Sequence, residues 1–417
     1  MKQIYLDHGA TTPVDKKVLA SMLPYFSEKY GNAMSLHEFG NEANKALEKA
    51  RKSAADFFGA DKEEIIFTSG ATESNNLVVK GVLRAYYDNI RSNLPKISSN
   101  LRVPHIITTA FEHHCVLDAC KAAQKENLAE VTFIKPNKEG IIFTEDVKKA
   151  IKPNTILVSV MYVNNEIGTV QPIAEIGKLI KNYNSKLPIT NYKLLFHTDA
   201  TQAINYFNCN VNKLGVDLLS MSAHKIYGPK GVGALYIRKG TAIKQVMDGG
   251  GQEGGKRAGT HNVPGIVGLG TAISMINDQG TKNKKNEILK LRNYLIDKIL
   301  KEIPKTRLNG SKIKRSPNNA NFSFQNVEGE SLLIMLDAEG IAASTGSACS
   351  SGSLSPSHVL LSLGMKAEEA HGSLRLTLGK NTTKKEIEYT ISKLKNIIEK
   401  LRKVSGNVLG DYYQAKK

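Results

Sequence analysis

No run of apolar residues in this chain of 417 approaches the roughly 18 that a membrane-spanning helix needs. The longest, Ile156 to Val163, is already broken by Ser159. The opening Met1-Lys2-Gln3-Ile4-Tyr5 lacks the apolar stretch of a secretory leader, so the expected location is the cytoplasm. Cysteine is scarce. The four present, Cys115, Cys120, Cys209 and Cys349, show no C-x-x-C spacing, which argues against a structural zinc site and against a disulfide-stapled secreted fold. Acidic residues are outnumbered, 39 against 57 Lys plus Arg, for a net charge of +18. Nucleic acid, an anionic substrate or an acidic protein could answer such an excess. The basic residues are spread along the chain with no Arg-rich tail and no aromatic-interleaved patch, so they read as a solvated surface, and direct nucleic-acid binding is not expected. No internal repeat is visible. An apolar content of 41% excludes a disordered or fibrous chain and supplies large cores without staples.

What is present is an alternation. Short apolar runs recur at 65–68, 105–109, 131–134, 155–163, 194–199, 216–222 and 232–237, with helix-like stretches such as 173–183 between many of them. This pattern predicts an α/β fold with a large, mostly parallel sheet covered on both faces. After about Gly265 the pattern changes to a smaller α+β unit. Its helix over 286–303 carries Ile288, Leu291, Leu295 and Ile299 on one face. A second helix opens with the capping box Thr383-x-x-Glu386, and strands are expected at 321–324, 341–344 and 374–378. The expected domains are 15–265 on the one hand and 1–14 with 266–417 on the other. Polar stretches at 88–103 and 184–193 read as surface insertions, and the tail from Ser405 reads as loosely attached.

Ser222-Ala223-His224-Lys225 follows the apolar run 216–221 directly. Burial at a strand end penalises the lysine charge and suits its amine to a Schiff base; an exposed loop lysine is the alternative on this feature alone. Ser69 to Asn75 follows a strand and opens a helix, whose N–H groups with the Thr72 hydroxyl can hold a phosphate. Asp199, at the end of another strand, needs a cationic partner such as a protonated pyridine nitrogen, unless it is an N-cap. His113 falls at the strand-end edge where open α/β sheets bind ligands. There it could stack on an aromatic cofactor and move protons. His113-His114-Cys115 has no matching ligand cluster elsewhere, so no metal site is expected.

Lysine, aspartate, histidine and phosphate loop together describe a pyridoxal-phosphate site, and here the chain resembles the cysteine desulfurases of the fold-type I, class V aminotransferase-like family. The resemblance runs from Tyr5-Leu6-Asp7 through Ser69 to Asn75, Val163-Asn164-Asn165-Glu166-Ile167-Gly168, Asp199 to Gln202, Ser222 to Lys225, Arg257-Ala258-Gly259-Thr260, and Ser347-Ala348-Cys349 to Arg375. It implies that Lys225 holds pyridoxal 5'-phosphate covalently, Asp199 pairs with the pyridine nitrogen, Gln202 contacts the ring oxygen and His113 stacks on the ring. Ala71, Thr72, Ser222 and His224 would hold the phosphate, joined by Thr260 from the other subunit of a homodimer. Asn164 and Arg375 would anchor the substrate α-carboxylate, Arg375 by a bidentate fork.

Cys349 lies in Ser344 to Ser353, a run of small polar residues too flexible for a core element, where a thiol can act as a nucleophile. The resemblance implies that this thiol takes the sulfur of L-cysteine as a persulfide and leaves L-alanine. The sulfur would then pass to an iron–sulfur scaffold or another acceptor protein. A selenocysteine lyase or an aminotransferase on the same scaffold is the rival reading. Cys115, two residues beyond His113, is a further thiol near the expected site; no role in the chemistry is assigned to it, and packing is the expected one.

Overall fold

The computed structural model describes residues 3–92, 103–188, 192–276, 279–345 and 356–414; Cys349 and most of its polar run, like parts of both expected insertions, lie outside them. Among the described residues the strands are β1 (Ile4–Tyr5), β2 (Ile65–Thr68), β3 (His105–Thr109), β4 (Glu130–Ile134), β5 (Thr155–Ser159), β6 (Leu195–Asp199), β7 (Leu218–Ser222), β8 (Gly233–Ile237), β9 (Thr306–Leu308), β10 (Asn319–Phe324), β11 (Ile341–Ala342) and β12 (Ser373–Thr377). Seven of them form one sheet in the order β2-β8-β7-β6-β5-β3-β4, with β8 antiparallel to both neighbours and every other pair parallel. Because β8 reverses twice, β2 runs in the same direction as β7. Six strands therefore end at one edge of the sheet.

The two-residue period of the strands sorts their side chains into two cores. Ile107, Phe196 and Leu219 enter the core on one face, whereas Ile106, Leu195 and Leu218 enter the core on the other. The run 155–163 is strand only as far as Ser159. Beyond it the chain leaves the sheet and doubles back, with Val163 bridging Val170.

The smaller unit is the antiparallel sheet β12-β10-β9, its apolar face covered by helices Gln279–Glu302, Gly329–Ala338 and Lys384–Gln414. Leu295, Ile299, Phe322, Leu374, Leu376, Ile387 and Leu394 fill its core. The capping box forms, with Thr383 N donating to Glu386 Oε2 at 2.8 Å and Glu386 N to Thr383 Oγ1 at 3.3 Å. β1 pairs in parallel with β11, and Ile4 and Leu6 join this core, so the first residues pack with the last third of the chain.

Two boundaries fall elsewhere than the sequence pattern places them. Helix Val263–Ile276 packs its buried face into the large core, not the small one. Gly270 makes this possible, since a Cβ there would lie 2.7 Å from Ala50 of helix Glu38–Phe58. Val359, Leu360 and Leu363 return to the large core as well. At the other end, the last helix continues past Ser405 to Gln414 instead of stopping where the polar tail begins. Val404, Val408 and Tyr412 keep the four-residue helical spacing there, with no proline to break it.

Candidate active site

At the edge where six strands end lies a cavity of about 580 Å³. Ser69 and Gly70 enter it from the end of β2, His113 from the turn after β3, Asp199 and Gln202 from the end of β6, and Ser222, His224 and Lys225 from the end of β7. Gly9, Ala10 and Thr11 of the amino-terminal loop and Arg375 of β12 close the far side. The open edge of a mostly parallel sheet is where such folds bind ligands, because loops there can turn side chains over the strand ends without disturbing the ladder.

Lys225 closes the short 3₁₀ turn Ala223–Lys225, and its Nζ donates to the carbonyls of Gly9 at 2.7 Å and Ala10 at 2.6 Å. Gln202 Nε2 donates to the same Gly9 carbonyl at 2.9 Å. Asp199 is 6% exposed. Its Oδ2 accepts from Asn75 Nδ2 at 2.7 Å and its Oδ1 from the Thr201 backbone N–H at 2.9 Å. Among the described residues no salt bridge involves this carboxylate. Two neutral N–H donors thus hold a buried acid that remains available to a cation entering the cavity.

His113 is the N-cap of helix His114–Lys125, its Nδ1 accepting from the Cys115 backbone N–H at 3.2 Å. Burial, with help from the Lys225 charge, keeps the imidazole below its ordinary pKa, although Asp199 pulls the other way. His224 is pushed down to about 4 by burial and by the nearby Lys225 and Lys230, so near neutral pH it is an uncharged ring, with its Nδ1 3.2 Å from the Thr11 hydroxyl. Ala71 and Thr72 begin helix Ala71–Ser92, and the first N–H groups of a helix have no acceptor within it. They meet Ser222, His224, Lys230 and Gly231 around one end of the cavity, a cradle of donors suited to a phosphate.

Arg375 is 5% exposed. Its Nη1 donates to the Asn165 carbonyl at 2.9 Å and its Nη2 to Asp7 Oδ1 at 2.8 Å, while the buried Nε–H has no partner. Each terminal nitrogen carries two hydrogens and spends one of them on the protein, so these bonds hold the plane of the fork and leave a second hydrogen on each nitrogen. Asn165 lines the cavity with a buried, unpartnered Oδ1. Asn164 does not line it. Its Nδ2 donates to the Phe111 carbonyl at 2.9 Å, and its Oδ1 accepts from the N–H groups of Glu166 and Ile167, so it shapes the turn behind the wall.

Ala71, Thr72, His113, Asp199, Gln202, Ser222, His224, Lys225 and Arg375 thus share one cavity. Thr260 is exposed and does not line the cavity of its own chain. Sequence reasoning gave no part to Asn75, although it stands four residues, one helical turn, after Ala71. It also missed two fully buried carboxyls. Burial pushes Glu112 up to about 8 and Glu166 up to about 7; the latter accepts from the Ser357 hydroxyl. The three described thiols, Cys115, Cys120 and Cys209, are free and buried, and each is pushed up to about 12. Cys115, for which packing is the expected role, lies on the cavity wall with its Sγ 3.0 Å from both Asn75 Nδ2 and His113 Nδ1.

These residues fit pyridoxal phosphate. A buried acid without a cation, a donor cradle at a helix start and a lysine on the same wall match its pyridine nitrogen, phosphate and aldehyde. The model of the family described as "Aminotransferase class-V" matches residues 4–390. Among curated proteins, a cysteine desulfurase IscS of Dictyoglomus turgidum is 48% identical over 404 residues, covering 97% of this chain and 96% of that one. A cysteine desulfurase of Homo sapiens is 45% identical over 408 residues, 97% of this chain and 84% of that one. Among solved structures, one titled "NIFS-LIKE PROTEIN" superposes with a TM-score of 0.84 at 35% identity, covering 95% of this chain and all of that one. Another, titled "SspA in complex with cysteine", gives 0.76 at 34% identity over 92% of this chain and all of that one. Likeness at this identity and coverage, on a cavity with this donor set, makes the chain a member of the class-V aminotransferase family and, within it, of the pyridoxal-phosphate-dependent cysteine desulfurases.

Proposed function

We propose that the protein takes sulfur from L-cysteine, releases L-alanine and carries the sulfur as a persulfide on Cys349, working as a cytoplasmic homodimer that supplies an iron–sulfur scaffold or another acceptor protein. The observation that carries this reading is the convergence of Lys225, Asp199, His113, the phosphate cradle and Arg375 on one cavity.

Lys225 would hold pyridoxal phosphate covalently, Asp199 would pair with its pyridine nitrogen, and Ala71, Thr72, Ser222 and His224 would hold its phosphate. Bound there, the cofactor supplies an electron sink that acidifies the substrate Cα. Arg375, on the cavity wall with its guanidinium braced by Asp7 and the Asn165 carbonyl, would bind the substrate carboxylate, with Asn165 beside it and Asn164 fixing the turn that presents Asn165. His113, uncharged through burial, exchanges protons with the substrate. The Cys349 thiolate attacks the substrate sulfur. Its new S–S bond forms as the substrate C–S bond breaks, and the carbon side takes up a proton and leaves as alanine. The three described thiols are buried and held protonated, which leaves Cys349 as the one cysteine suited to be that nucleophile. A free thiol at Cys349 also needs a reducing compartment, hence the cytoplasm.

Two features support the dimer. Leu19, Leu23, Phe26, Tyr30, Met34, Leu36 and Phe39 are all exposed within one short segment, an apolar surface that calls for a cover. Thr260, exposed and away from its own cavity, follows Arg257, which is anchored to Glu73 at 3.0 Å. A second copy could bury the first and bring the second to its neighbour's phosphate. The test of the sulfur step is Cys349→Ser. The variant is expected to keep its cofactor absorbance and its spectral response to L-cysteine while alanine release collapses, and mass spectrometry of the native enzyme should place the persulfide on Cys349. A persulfide on another cysteine, or near-native turnover by the variant, would refute the reading and favour an aminotransferase or a selenocysteine lyase.

A further inference from the structure

A phosphate ester carries a charge of about −1.5 to −2 near neutral pH, and the donors that form its cradle are uncharged. The first N–H groups of helix Ala71–Ser92 and the Ser222 hydroxyl are neutral, and so is His224, held down at about 4. Glu73, in the first turn of that helix, adds a negative charge that Arg257 balances at 3.0 Å. Lys225 stands on the wall as well, but its amine is the group that takes the aldehyde. Lys230 remains. It lines the same cavity, is exposed, and among the described residues makes no hydrogen bond and no salt bridge. Local geometry holds it there. Gly231, at φ 75°, is left-handed, and the turn it allows returns the chain to β8, whose Gly233 pairs with Ser222. A Cβ on Gly233 would lie 2.7 Å from the Gly70 Cα, so the backbone just after Lys230 runs against the phosphate loop.

We infer that Lys230 is the counter-charge of the cofactor phosphate: among the described residues it is the one cation at the cradle that no carboxylate neutralises and no bond to the cofactor consumes. The inference rests on the reading that Lys225 holds pyridoxal phosphate with its phosphate at this end of the cavity. It divides the work by charge. The N–H groups and hydroxyls give direction, since each fixes one phosphate oxygen. The ammonium, with three hydrogens on a flexible stem, gives attraction and little orientation. A histidinium at His224 could supply the same charge, but burial and the two nearby lysines keep that ring neutral, so the charge has to come from elsewhere. Lys230 is open to solvent before the cofactor arrives, so the cofactor-free protein carries no buried, unpaired charge on its account, and the ion pair forms only on binding.

The test compares two probes that differ only in the phosphate. Cofactor-free native protein, Lys230→Met and Lys230→Arg are each titrated with pyridoxal 5'-phosphate and with pyridoxal, and the bound aldehyde is read by its absorbance. Lys230→Met is expected to weaken pyridoxal phosphate by roughly 3- to 10-fold, the low end for a charge-assisted hydrogen bond because this ammonium is open to solvent, and to leave pyridoxal unchanged. Lys230→Arg keeps the charge and should restore most of the affinity. Added salt should weaken pyridoxal phosphate more steeply in the native protein than in Lys230→Met. A second reading needs no cofactor: the His224 titration, followed by NMR in the cofactor-free protein, should move to higher pH in Lys230→Met as the ring loses a neighbouring positive charge. An equal loss for both aldehydes, undiminished affinity of Lys230→Met for pyridoxal phosphate, or an unmoved His224 titration overturns the inference. Borohydride reduction keeps that failure apart from a failure of the reading beneath it: label on Lys225 shows the reading intact whatever Lys230 does, and label on another lysine overturns both.

Discussion

Arg375→Lys tests how the substrate is held, because the structure separates what this side chain does for the protein from what it offers a ligand. Its Nη1 and Nη2 each spend one hydrogen on the protein, at the Asn165 carbonyl and at Asp7, and each carries a second one. A lysine keeps the positive charge but places one nitrogen where three stood, and Asp7 at 2.8 Å is its strongest competitor. The carboxylate then loses a directed, charge-assisted hydrogen bond worth about 1.5–3 kcal/mol, which is roughly a 10- to 100-fold rise in KM for L-cysteine. The effect on kcat should be smaller, since the carboxylate is held alike before and during the sulfur step. Alanine release measured against cysteine concentration separates the two constants, and cofactor absorbance shows whether the site stays loaded. A KM within about twofold of native, with kcat collapsed, would refute Arg375 as the carboxylate anchor and leave it as a clamp between Asp7 and the Asn165 turn.

The dimer assignment predicts that Lys225→Ala and Thr260→Ala, each poorly active alone, recover activity when their subunits are mixed, because one site of the heterodimer regains both groups; absence of recovery after proven exchange would place Thr260 in its own chain's site. Borohydride reduction of the native enzyme should fix the cofactor to a peptide containing Lys225, and label on another lysine would refute that residue's role. Glu112 supplies a pH dependence. Its folded pKa of about 8 lies above that of an unfolded glutamate, so between about pH 5 and 8 the native state binds more protons and stability falls as pH rises. Glu112→Gln should therefore melt higher than the native protein at pH 8 and show less gain at pH 5, as read by thermal unfolding; a gain independent of pH would show that Glu112 is ionised in the fold.

Chemistry that resides in one short segment was legible in the sequence. The apolar runs set the strands, because a two-residue period leaves few other ways to bury Ile106, Leu195 or Leu219, and Asp199 and Lys225 were conspicuous as charged residues placed where those runs stop. Their convergence on one edge follows from strand direction, which the alternation of strand and helix already implied. Tertiary structure alone decided matters in which neighbouring side chains compete for partners. Of two adjacent asparagines, Asn164 is consumed by backbone groups at Phe111, Glu166 and Ile167, and Asn165 is left facing the cavity. Arg375 reads as a free fork until Asp7, 368 positions away, accepts one hydrogen of its Nη2 and fixes the plane of the guanidinium. Cys115 reads as a packing thiol until Asn75, 40 positions earlier, joins it to Asp199. Helix Val263–Ile276 reads as the start of the second unit until Gly270 meets Ala50. Periodicity fixes which face of an element is apolar, but a polar side chain's role depends on which donors and acceptors remain unpaired once distant segments meet.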